Sequence, residues 1–315
     1  MSKEEILDVL IIGGGIAAHT AALYTSRAQL NPLVISAPEL DQLSLTSTVE
    51  NYPGFPDGVL GPDLVNNCKK QARKFGAKYI EALVTNFKKS RNKYEIQTDE
   101  NENYLARTVI IATGASARWL GVPGEAKYKG RGVSTCAVCD AALFRDKEVI
   151  VIGGGDSAME ETLALYKFAK KITIIHRRNK FRASKIMQDR ILNLDKVNII
   201  WDTSITEVEG DGKFVTGVKL KNLKTKNEST LKCDGIFLAI GHTPNTSFLK
   251  DLIKLNKLGY IKTKNVQTNL PGVFAAGDVQ DHRYRQAITS AGTGCMAALE
   301  SEKYIEDLKL KNKYK

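Results

Sequence analysis

Two stretches of the chain share one pattern. A short run of branched apolar residues enters a glycine triplet, and apolar positions then recur three and four residues apart. The first covers Asp8–Ala18 and the pattern returns at Glu148–Ala158. Each predicts a strand, a tight turn and a helix, the helices over Ile16–Ala28 and Asp156–Ala169. A strand that is apolar on both faces predicts a parallel sheet sandwiched by helices. A second matched pair, Thr108–Gly114 and Gly235–Gly241, reads as a buried strand running into a glycine in each unit.

Alternating segments such as Tyr94–Thr98 and Val215–Leu220 predict half-exposed antiparallel strands. A further strand-to-glycine signal lies at Val273–Asp278, followed by a helix over Gln286–Leu308 and a solvated tail, Lys309–Lys315. The repeat spacing is far longer than that of a solenoid. The expectation is an α/β protein of two Rossmann-like three-layer nucleotide-binding domains, the second inserted into the first. The parts are residues 1–117, 118–243 and 244–315, with crossings near Ala115–Val122 and His242–Asn245.

Composition narrows the class. A chain of 315 residues suits two domains at ~150 residues each. Hydrophobic residues at 43% and charged residues at 26% exclude disordered, collagenous and coiled-coil classes. The +11 net charge would suit nucleic acid, an anionic membrane or an acidic protein, and does not choose among them. The lysines are not interleaved with aromatics, which disfavours nucleic acid. The N-terminus lacks a secretory layout, and the longest apolar stretch, Val9–Tyr24, is too short for a membrane span. Five scattered cysteines do not make a secreted disulfide framework. A soluble, cytoplasmic protein is expected.

The glycine turns point to dinucleotides. In the pattern G-x-G-x-x-G/A, the glycines permit the turn and a close approach to pyrophosphate, and the last small residue lets helix and strand pack. Gly13, Gly15 and Ala18 fit, as do Gly153, Gly155 and Ala158. In the second unit the strand Ile172–Ile175 leads into His176-Arg177-Arg178, with Arg182 beyond. Arginines there favour a 2′-phosphate and hence NADPH, the plain alternative being a solvated basic stretch. In the first unit Leu33–Ile35 is followed by no acid until Glu39. Flavin is suggested there by Gly277-Asp278, whose acid would meet ribityl hydroxyls or shape a phosphate site.

Cys136-Ala-Val-Cys139 is followed by Asp140. Zinc needs four ligands, and His19, His176, His242 and His282 stand at no ligand spacing, so no metal is expected. A redox-active dithiol is the favoured reading over a buried structural pair. Hydride from NADPH, a flavin that converts it, and a disulfide that receives the electron pair form one relay, with Asp140 as an acid for the departing thiolate.

With these residues the chain resembles the low-molecular-weight thioredoxin reductases of the FAD- and NADPH-dependent disulfide reductase superfamily, over about residues 5–310. The match rests on the dithiol between two Rossmann units, Gly153–Ala158 including Asp156 and Ser157, His176–Arg178 with Arg182, Gly277-Asp278, Val49–Pro56 and Arg285–Thr289. The resemblance implies that residues 1–117 and 244–315 bind FAD and that residues 118–243 bind NADPH. It implies FAD contacts from Gly13, Gly15, Ala18, Gln42, Asn51, Asp278, Gln286 and Ala287. Cys139 would be the sulfur nearer the flavin and Cys136 the one attacking a thioredoxin disulfide, with Asp140 the acid. A homodimer is implied, with a NADPH domain swinging on the crossings, where Gly114, Gly121, Gly241 and Pro244 suit a hinge. The chain departs from the family pattern at Leu40-Asp41, where glycines are usual, and at Ala141, where glycine is usual; Ala141 asks for an ordinary φ. A dithiol oxidoreductase serving another carrier, and a non-enzymatic basic binding module, remain the alternatives.

Overall fold

The computed structural model describes residues 6–39, 41–46 and 48–313. Its described helices are α1 (Ile16–Arg27), α2 (Gly61–Lys74), α3 (Ala137–Asp140), α4 (Asp156–Tyr166), α5 (Lys185–Leu192) and α6 (Ala287–Lys313), besides short 3-10 turns. The chain divides into two compact units, 1–116 with 243–315 and 117–242.

The first unit is built on a seven-stranded sheet. Strands Lys78–Glu81, Leu33–Ser36, Ile6–Ile12 and Asn103–Ile111 run parallel in that order. The long strand Asn103–Ile111 divides its far edge. Its first half pairs antiparallel with Lys93–Thr98, and its second half pairs parallel with Val273–Ala275. The alternation expected near Tyr94 is present, with Tyr94, Ile96 and Thr98 buried. Along Ile6–Ile12, Val9 and Ile11 pack with α1 and α6, whereas Leu10 and Ile12 pack with Phe87, Ile96 and Ile253. Period-two side chains thus feed two separate cores.

The second unit repeats the plan. Strands Val133–Ser134, Gly235–Ala239, Glu148–Gly153, Lys171–Ile175 and Val197–Ile200 form a wholly parallel sheet. Val149 and Val151 pack with Met159 of α4, while Ile150 and Ile152 face Ile205, Val218 and Leu220. Those last residues belong to an antiparallel sheet of Thr203–Gly210, Val215–Asn222 and Glu228–Lys232. The three layers are therefore helix, parallel sheet and antiparallel sheet. This corrects the expectation of helices on both faces: a sheet layer buries the second apolar face equally well.

A second correction concerns the C-terminus. The expected tail from Lys309 continues α6 through Lys313, and the last two residues lie outside the described set. Lysine is a good helix former, and its charge is favourable beside the terminal carbonyls. The connecting segments Ala115–Ala117 and His242–Pro244 pair with one another. Gly121 is not free backbone, since buried Glu125 accepts the Leu120 and Gly121 N–H groups at 2.8 Å each.

Candidate functional site

In the first unit, Gly13 has φ +138°, and a Cβ there would lie 2.1 Å from the Ala112 carbonyl oxygen. Only glycine lets the chain turn so close to the neighbouring strand. Gly15 precedes α1 without any side-chain cap, and a Cβ built on it would meet only Asp41 Cβ, at 3.8 Å. The first N–H groups of α1 therefore open onto space suited to an anion. Ala18 is fully buried, so its part is packing.

Gly277 brings the other half of this site to α1. Its φ is +74°, and an added Cβ would stand 2.9 Å from Ala17 Cβ. Asp278 follows, its Oδ1 accepting from Ser290 Oγ at 3.1 Å. Burial pushes the Asp278 carboxyl up to about 6. Ser290 lies in the first turn of α6, which begins at Ala287, and the preceding Gln286 accepts from Asn51 Nδ2 through Oε1 at 3.3 Å. Gly277 thus brings Asp278 and α6 against α1 beside Gly13 and Gly15, with the Asn51–Gln286 pair just before α6 at Ala287, while Ala18 packs beneath. Open helix amides, a buried carboxyl and an amide pair match a pyrophosphate with a polyhydroxyl chain, so the residues fit FAD.

Gln42 is exposed in the loop before this site. Asp41 orders that loop, its carboxylate accepting from Leu43 N at 3.0 Å and Ser44 N at 3.2 Å. The Asx-type bonds shape the turn without the glycines usual in the family. Leu40, the other departure, lies outside the described residues.

In the second unit, Gly153 has φ +155° and a Cβ there would meet Ala239 O at 2.4 Å. Gly155 opens onto empty space and begins α4 without a side-chain cap. Ser157 is half-buried in the first turn of α4. Asp156 Oδ1 accepts from Ser184 N at 2.8 Å and Ser184 Oγ at 2.9 Å. The Gly154 carbonyl accepts from Arg182 N and Ala183 N. The basic loop is thereby laced to the glycine turn. His176 is buried with its ring against Gly154 and packs on Phe181 and Trp201, whose rings touch one another. Its pKa is lowered, chiefly by burial. Arg177, Arg178 and Arg182 line a cavity of about 260 Å³. Uncapped α4 and this cationic cavity fit a dinucleotide bearing an extra phosphate.

Cys136 and Cys139 are joined as a disulfide across the start of α3, with Cα atoms 5.3 Å apart. Cys139 is exposed and Cys136 half-buried. Cys136 Sγ accepts from Cys139 N at 3.2 Å, and Cys136 N donates to Ser134 Oγ at 3.0 Å. Glu161 of α4 accepts the Ala137 N–H. The Asp140 carboxyl is pushed up by burial, opposed by a hydrogen bond with Ser134. Its Oδ1 is buried without a hydrogen-bond partner, so the residue that follows Cys139 in the chain carries one unspent acidic oxygen. Ala141 has φ −56°, as the sequence asked, and is buried.

Ser134, Glu161 and Ser290 carried no signal in the sequence. Each reaches its partner only through the packing of separate elements. Among the described residues no group of three or more His, Cys, Asp and Glu is placed to hold a metal, and no helix is long and apolar enough to cross a membrane.

Two glycine-turned nucleotide sites and a disulfide on a short helix define a flavin- and pyridine-nucleotide-dependent disulfide reductase. The chain belongs to the pyridine nucleotide-disulphide oxidoreductase family, whose model matches residues 7–294. Within that family it is similar to thioredoxin reductases. It is 48% identical over 302 residues to the thioredoxin reductase of Rickettsia conorii, covering 94% of this chain and 97% of that one. It is 49% identical to the mitochondrial thioredoxin reductase 1 of Arabidopsis thaliana, over 95% of this chain and 84% of that one. The crystal structure of thioredoxin reductase from Streptococcus pyogenes superposes with a TM-score of 0.92 at 41% identity, covering 97% of this chain and 100% of that one.

Proposed function

We propose that this protein reduces the disulfide of a thioredoxin with NADPH, through FAD held by the first unit and the Cys136–Cys139 pair. The observation that carries this is the disulfide on α3, followed in the chain by a buried carboxyl with an unspent oxygen. When bound, FAD supplies the conversion of a hydride into an electron pair deliverable to sulfur. The chain's residues do the remaining work.

The first amides of α1 and the Asp278 carboxyl hold the flavin nucleotide, with Asn51 and Gln286 fixing its rim. The first amides of α4 take the pyrophosphate of NADPH, and Arg177, Arg178 and Arg182 take its 2′-phosphate. His176 holds the glycine turn in place from below. Opening the Cys136–Cys139 bond leaves a thiolate, to which Asp140 gives a proton. Its burial keeps that proton on to higher pH than an exposed aspartate would. Asp140 takes the proton back so that Cys136 attacks the carrier disulfide as a thiolate; Cys139 then attacks Cys136 in the mixed disulfide, which re-forms the Cys136–Cys139 bond and releases the carrier as a dithiol. Val138, exposed between the two cysteines, offers the carrier an apolar contact.

The +11 charge supports steering of an acidic carrier, which makes the encounter rate fall with salt. We place the protein in the cytoplasm as a homodimer, with the second unit swinging on the paired segments Ala115–Ala117 and His242–Pro244.

Anaerobic titration with NADPH tests the relay. The wild type takes up a second electron pair beyond the flavin's own, and Cys136→Ser takes up only the flavin's. A wild type saturated by the flavin's pair alone overturns the proposal.

A further inference from the structure

The cavity beside the arginine loop has a wall that no motif marks. Besides Arg177, Arg178, Lys180 and Arg182, it is lined by Asp202 and Lys224. Lys224 sits in the turn between strands Val215–Asn222 and Glu228–Lys232, some forty residues beyond the loop. That turn is well built. Asn222 Oδ1 accepts from Lys224 N at 3.0 Å and Thr225 N at 2.9 Å, and Asn222 O accepts from Lys226 N at 2.9 Å.

The turn is also tied to the loop through backbone. Leu223 N donates to Asp202 O at 2.6 Å, and Asp202 N donates to Arg178 O at 3.2 Å. Asp202 stands at φ +53°, a conformation that a non-glycine residue adopts only where its surroundings hold it. Lys224 Nζ lies 2.8 Å from Asp202 Oδ2, with side-chain exposures of 63% and 19%. An isolated surface pair of this kind contributes little. Here the carboxylate stands on the wall of a cationic cavity, where it would repel an anion unless screened.

We propose that Lys224 is a specificity-determining residue for dinucleotides bearing a 2′-phosphate. It neutralises Asp202 and, having three N–H donors, reaches the phosphate at the same time. This rests on the NADPH reading above and adds to it a contact from outside the arginine loop. The pair makes the cavity wall neutral to a phosphate, whereas loss of the lysine alone makes it repulsive.

Calorimetric affinities of the FAD-loaded protein for adenosine 2′,5′-bisphosphate and for 5′-AMP test the proposal. Wild type prefers the bisphosphate. Lys224→Met weakens bisphosphate binding about tenfold, the scale of one charge-assisted hydrogen bond, and leaves 5′-AMP unchanged. Lys224→Arg keeps wild-type affinity. Adding Asp202→Asn to Lys224→Met restores part of the loss, because the unscreened carboxylate is gone while the lysine's own bond to the phosphate is not replaced. Bisphosphate affinity unchanged in Lys224→Met, an equal loss for both ligands, or no recovery in the double variant overturns the proposal. A wild type that does not distinguish the two ligands overturns the NADPH reading and this one with it; a discriminating wild type with an indifferent Lys224→Met overturns this one alone.

Discussion

The His176 imidazole lies across Gly154 so closely that a Cβ on that glycine would stand 2.3 Å from the ring. The imidazole also packs against Phe181 and Trp201, whose rings are in contact with each other. A motif histidine at the end of a strand thus acts as the floor of the glycine turn. Gly154→Ala forces the ring or the turn to move, and overpacking of this kind costs ~1–3 kcal/mol. Denaturant unfolding should show that loss, together with a raised KM for NADPH.

Asp140 makes the reaction depend on pH in a defined sense. Burial raises its carboxyl above the ordinary value, so it stays protonated further towards neutrality and loses its proton as pH rises. The wild-type rate of disulfide opening should fall as pH passes through that raised value. Asp140→Asn should be slower by ~10²–10⁴ below it and should lose this pH dependence. Stopped-flow traces with thioredoxin as acceptor report both.

Asp278 gives a stability signature in the FAD-free protein. Its carboxyl moves from 3.8 in the ordinary state to about 6 in the fold, chiefly through burial. Between those values the folded chain holds more protons than the unfolded one, so stability falls as pH rises and levels off above about 6. The shift corresponds to about 3 kcal/mol. Asp278→Asn should flatten the profile in urea titrations between those pH values, and FAD retention should weaken.

Arg177 and Arg178 face the cavity as positive charges without a role in the glycine turn itself. Replacing both by neutral residues should raise KM for NADPH by at least about tenfold and leave that for NADH nearly unchanged. Steady-state kinetics with the two nucleotides decides it, and equal changes would remove the 2′-phosphate role.

Much of this design was readable before folding because it is written locally. The runs ending at Ile12 and Ile152, the glycines that follow and the apolar spacing of α1 and α4 all act over a few residues. The dithiol and its neighbouring acid are consecutive in the chain. Helix ends were less legible: α4 stops at Tyr166 rather than Ala169, and α6 runs on into the lysines, because packing and terminal charge set those limits.

By itself the sequence determined the strand–turn–helix units, the cysteine pair and the charge of the basic loop, since backbone preference and side-chain period operate between near neighbours. Tertiary structure alone decided that an antiparallel sheet covers one face of the second unit. It also decided that Glu161 meets Ala137, that Asn51 meets Gln286 and that Lys224 meets Asp202. These partners are separated by between 22 and 235 positions, and no local preference encodes such a meeting. The packing of two cores against each central sheet brings them within bonding distance.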